Sequence, residues 1–171
     1  LEKLSKDNNA YVRSGVAINL NTIIHVLEAL SKDQERLVRA NIAENTNAPT
    51  HVLENLSKDE DWIVRYSVAG NPNTPANILE SLSKDEDWEV RASVAWNKNT
   101  LPILVEELVN DVDALVRFAA LTTLNPSLPL NIIKNLAVSN EEYDDKEFCS
   151  IMKSYSFTPL HIKEGLDLLT S

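Results

Sequence analysis

Apolar residues recur along the chain in short blocks, and the blocks themselves repeat. The stretch "LSKDEDWIVRYSVAGNPNT" (residues 56–74) returns as "LSKDEDWEVRASVAWNKNT" (residues 82–100), 26 residues later. The dipeptide Val-Arg keeps the same step, at Arg13, Arg39, Arg65, Arg91 and Arg117, each preceded by a valine. An aspartate lies six residues before each arginine: Asp7, Asp33, Asp59, Asp85 and Asp111. A leucine column runs in register with them: Leu4, Leu30, Leu56, Leu82 and Leu108. An asparagine six residues after the arginine follows at Asn19, Asn45, Asn71 and Asn97, then two residues late at Asn125. The fifth unit therefore carries a two-residue insertion. A fixed period of this length marks a solenoid, in which stacked copies of one small unit share a continuous core.

Within a unit the apolar spacing predicts two short helices. In the third unit Asp59 suits an N-cap, with Glu60 and Asp61 in the first turn, where the helix dipole favours anions. The first helix runs to about Gly70, and Asn71-Pro72 stop it, with the asparagine suited to a left-handed backbone. Asn73 or Thr74 then caps a second helix, with Pro75 in its first turn. Ile78, Leu79 and Leu82 point inward, and "SKD" turns into the next unit. On a wheel of about 100° per residue, Arg65 falls inside the apolar arc, between Val64 and Val68 on one side and Ala69 on the other. A guanidinium placed there is partly buried and needs acceptors. One aspartate per unit at constant offset can supply them, which predicts an Asp–Arg ladder along the stack.

The string VRxxVAxNPNTPxxxLExLSKD resembles the variant leucine-rich repeat, which is itself similar to HEAT-like repeats. The resemblance covers about residues 1–138. It implies a right-handed α-solenoid in which each 26-residue unit pairs an α-helix with a shorter, 3₁₀-like helix. It implies no catalysis. Some relatives carry a cysteine cluster for an iron–sulfur centre before the repeats; this sequence has no such cysteines, so no cofactor is expected. Leu1 to Leu4 match residues 27–30, so residues 1–138 read as five units preceded by the end of a truncated one. Beyond that the period fails. The acidic stretch 139–145 and two expected helices after it read as a degenerate C-terminal cap over 139–171.

Charge and chemistry narrow the function. With 16 basic and 26 acidic residues the net charge is −10. Nucleic acid and anionic membrane surfaces are poor partners for such a chain, whereas basic proteins suit it. The single cysteine, Cys149, forms no intrachain disulfide and fits a reducing cytoplasm. His25 and His51 share a column of adjacent units and His161 stands apart, so no metal site is expected. The carboxylates spread along a surface and do not converge on a pocket. No phosphate loop or nucleophile elbow is present, and the chain is not expected to be an enzyme. Large aromatic groups do stand in variable columns: Trp62 and Trp88 in one, Tyr66 and Phe118 four residues on, and Trp96 alone at a helix end. Tryptophan and tyrosine anchor interfaces, so these five are the candidate protein-binding residues. The expected function is a non-catalytic scaffold that binds a protein or peptide, with basic groups favoured, through an acidic, aromatic-dotted surface. The alternative is a HEAT-like nucleic-acid-binding module or an enzyme-accessory protein.

Overall fold

A computed structural model of the chain describes residues 1–127 together with 129, 131, 133 and 135. The expected cap over 139–171, with Cys149 and His161, lies outside the described residues. A short 3₁₀ turn, Leu4–Lys6, precedes α1 (Ala10–Ile18) and α2 (Ile24–Leu30). The same pair recurs as α3 (Arg36–Glu44) and α4 (Thr50–Leu56), α5 (Trp62–Gly70) and α6 (Ala76–Leu82), and α7 (Trp88–Trp96) and α8 (Pro102–Leu108). The described units close with α9 (Ala114–Leu124). First helices have nine residues and second helices seven, except α9, which has eleven and so absorbs the two extra residues of the fifth unit. Every element among the described residues is helical, and the architecture is an all-α solenoid.

The first helices pack on one another in series, α1 on α3 on α5 on α7 on α9, while each second helix packs mainly on first helices. The column of small residues explains the close approach. Ala17, Ala43, Ala69 and Ala95 are fully buried, as are Val38, Val64, Val90 and Val116 one turn earlier. A second helix adds three apolar side chains per unit, such as Ile78, Leu79 and Leu82. Burial of each such side chain favours folding by about 1.5–3 kcal/mol. The second helices are short α-helices tightened at both ends by i→i−3 bonds, for example Ile78 N–H to Pro75 O at 3.0 Å and Asp85 N–H to Leu82 O at 3.1 Å. This gives them the 3₁₀-like ends that short helices adopt.

Three expectations about the turns need correction. The N-cap of α5 is Asp61, whose carboxylate accepts from Ile63 N–H, and Glu60 lies before the helix. Asp59 is two residues too early to cap, because its carboxylate is held by Asp61 N–H and by Arg39 of the preceding unit. Asn71 is not left-handed: its φ is −67° and ψ is 124°, and no non-glycine residue among those described has positive φ. Finally, α6 begins at Ala76, with Pro75 at the cap position and no side-chain cap. Asn73 and Thr74 are engaged elsewhere. Thr74 Oγ1–H donates to Val68 O, and the Asn73 amide reaches Thr46 O in the preceding unit.

Candidate functional site

The ladder residues lie along the junctions between units. Arg65 donates from Nε and Nη2 to the two carboxylate oxygens of Asp85, in the next unit, at 2.7 and 2.9 Å. Its Nη1 donates to the backbone carbonyls of Asp59 and Glu60, and Nη2 also reaches Asp87 at 2.6 Å. All five N–H groups of this guanidinium are then bonded. The same fork joins Arg13 to Asp33, Arg39 to Asp59 and Arg91 to Asp111. In each case Nη1 takes the carbonyl of the aspartate in its own unit: Asp7, Asp33 and Asp85. Arg117 makes that carbonyl bond to Asp111. Each of Asp33, Asp59 and Asp85 thus holds two units at once, through its carboxylate and its carbonyl.

These bonds set the charge states. Hydrogen bonding to Arg13 holds the Asp33 carboxyl below its ordinary value, against the opposing effect of burial. Burial pushes Asp59 up, but the Arg39 hydrogen bond and Asp61 N–H outweigh it, and the net shift is downward. The partner guanidinium of each pair is raised.

A second clasp runs beside the ladder. The buried Asn71 amide donates to Ala43 O at 2.6 Å and Asn45 O at 3.1 Å, both in the preceding unit, while its Oδ1 accepts from Asn73 N–H. Asn45 and Asn97 repeat the arrangement. These asparagines clasp each unit to the one before it, a role that a reading of one unit at a time does not reveal.

The aromatic candidates do not form a single patch. Trp62 and Trp88 occupy the first positions of the stacked helices α5 and α7 and are half-buried against the core. Tyr66 sits one turn along, edge-to-face with Trp62 at 6.3 Å between centroids and 71° between planes. Trp96 is at the opposite end of α7, about 12 Å away along the axis, and its indole N–H donates to Thr122 Oγ1. It borders a cavity of about 180 Å³ lined by Gly70, Pro72 and Lys98. Phe118 is corrected: it is fully buried in α9 and offers nothing to a partner. It shares a column with Tyr66, but its position in the stack covers it.

Carboxylates surround the Trp62–Trp88 edge. Glu60 and Glu86 are exposed, while Asp61, Asp87 and Glu89 are half-buried. Burial pushes the Glu89 carboxyl up, and the nearby Asp87 and Asp113 charges add to that. His25 and His51 face the preceding units' glutamates, His51 Nε2 lying 2.9 Å from Glu28 and His25 Nε2 3.7 Å from Glu2. Among the described residues no cluster of three His, Cys, Asp or Glu side chains is placed to hold a metal ion. No helix among them is long and apolar enough to cross a membrane.

Stacked helix pairs locked by a periodic side-chain ladder define the class: an all-α repeat solenoid. Among solved structures it is similar to a leucine-rich repeat variant with a novel repetitive structural motif. The TM-score is 0.58 and the identity 23%, covering 98% of this chain and 69% of that one. The fold is therefore that of the leucine-rich repeat variant. No family model and no curated protein matches the chain.

Proposed function

We propose that the chain is a non-catalytic scaffold that binds a protein or peptide along the edge formed by the starts of α5 and α7. The observation that carries this reading is the pair Trp62 and Trp88, half-buried but not enclosed, in a column where other units place Ala10, Arg36 or Ala114. Two large rings kept partly in water, one of them packed on Tyr66, have the make-up of an interface anchor. Their acidic surroundings favour a basic partner. The arginine column lends no support to a nucleic-acid track, since those guanidinium groups bond to aspartates and carbonyls of the chain itself. The reading keeps a cytoplasmic setting for a chain with one cysteine.

The test is affinity capture from native lysate with wild type and with Trp62→Ala/Trp88→Ala, after the double variant is shown to melt cooperatively. A protein retained by wild type and lost with the folded variant is the expected result. Identical retention by both would move the working surface elsewhere.

A further inference from the structure

The solenoid has two unlike edges. Residues 57–62 and 83–88 lead from a second helix into the next first helix, and they carry Asp59, Glu60, Asp61, Asp85, Glu86 and Asp87. On the other edge lie the turns from a first helix into its second helix: residues 20–25, 46–51, 72–77 and 98–103. These four stretches contain no aspartate or glutamate. Their charged side chains are Lys98 and, when protonated, His25 and His51. Glu28, Glu54 and Glu80 come a turn later on the second helices and flank the strip.

Apolar groups project from both ends of this strip. Leu20, Ile23 and Ile24 are exposed in the first unit, and Leu101 and Ile103 in the fourth. The smaller Pro49, Thr50, Pro75 and Ala76 fill the middle. The exposure belongs to the edge and not to the first unit alone, since the columns of Leu20 and Ile24 are exposed or half-buried in all four units. The cavity of about 180 Å³ beside Trp96 lies on the same edge, lined by Pro72 and Lys98 from two of these turns.

We propose that this strip binds a second copy of the chain, related by a two-fold axis through the middle of the strip. Charge selects the occupant. Two chains of net charge −10 repel each other, and a carboxylate-free edge lets them meet with the least repulsion. The distribution of apolar groups fits as well. A two-fold contact is self-complementary. It sets the first unit of one copy against the fourth of the other, so Ile23 and Ile24 meet Leu101 and Ile103 twice over. The proline and alanine turns meet across the axis, and the second copy's Leu20 faces the cavity beside Trp96. Stacked helices about 8–10 Å apart make the strip roughly 24–30 Å long. Its extent suits a stable interface, which takes about 20–30 residues a side. The acidic edge with Trp62 and Trp88 stays outside this contact, and the inference does not depend on what binds there.

Sedimentation velocity of the full chain, from low to high micromolar concentration, reads the association. Conversion to twice the chain mass is expected, and it strengthens as added salt screens the repulsion. Ile24 and Ile103 are 59% and 58% exposed, so changing them leaves the core untouched. Ile24→Glu or Ile103→Lys alone weakens association about tenfold or more. An equal mixture of these two variants regains the wild-type constant to within about threefold, because glutamate then faces lysine across the contact. Gln34→Glu, which adds a negative charge at an exposed position on the acidic edge, leaves association unchanged. Should Ile24→Glu disturb α2, Leu20→Glu, in the turn before the helix, weakens association in its place. A chain that stays monomeric throughout, equal weakening by Gln34→Glu, or a mixture no stronger than its components overturns the proposal.

Discussion

An arginine at the margin of a core is tolerated when every N–H has an acceptor, and Arg65 meets that condition with side chains and carbonyls from two units. The arrangement has a consequence for acid stability. Asp33 and Asp59 have carboxyl groups held below the ordinary value of 3.8. The unfolded chain therefore takes up these protons first. The stabilisation they supply is present above about pH 4 and is lost as pH falls through their folded values. Melting temperature followed from neutral pH downward should drop below about pH 4, and Asp59→Asn should remove part of that drop. A profile unchanged down to about pH 2.5 would contradict it. Glu89 has the opposite sign. Its raised pKa favours the protonated form in the folded chain, so its contribution is lost as pH rises through its folded value. At this scale the sequence shows which residues recur, but not what each bonds to. Asp59 resembles a helix cap when its unit is read alone. Its real partner, Arg39, belongs to the unit before, and the true cap is Asp61.

Helices follow from the pattern more directly. Two apolar stripes per period, with small residues along one of them, fix both the elements and the faces they bury, and each first helix ends at the asparagine of its column: Asn19, Asn45, Asn71, Asn97 or Asn125. Helix starts follow less directly, because several acids and amides precede each helix and contacts with the neighbouring unit decide which one caps. Asp87 is a case in point: it sits at the cap position of α7, yet its carboxylate goes to Arg65 and makes no cap bond. The fully buried Ala69 gives a test of close helix approach. Ala69→Leu should overpack the α5 junctions and cost about 1–3 kcal/mol in chemical denaturation. An unchanged midpoint would show that the first helices have room the close packing denies.

Over the whole molecule, identical columns meet different surroundings. Tyr66 is partly buried and Phe118 fully buried, although both hold the same place in their units. The repeat pattern identifies the aromatic columns but cannot rank their exposure, because position along the stack decides it. What the pattern does separate is the invariant from the variable. Arginine, aspartate and asparagine columns bind unit to unit, and recognition is proposed for the variable aromatic edge. That division is the central claim, and a comparison of Arg65→Ala with Lys58→Ala by thermal and denaturant unfolding tests it most directly. Arg65 is 8% exposed and bonded across a junction, whereas Lys58 has a side chain 72% exposed that meets only Glu54 at 3.8 Å. Loss of Arg65 strands the Asp85 carboxylate and should cost about 3 kcal/mol or more, while Lys58→Ala should stay within about 0.5 kcal/mol of wild type. Equal, small shifts for the two variants would mean that the arginine column does not hold the stack and is free for another role.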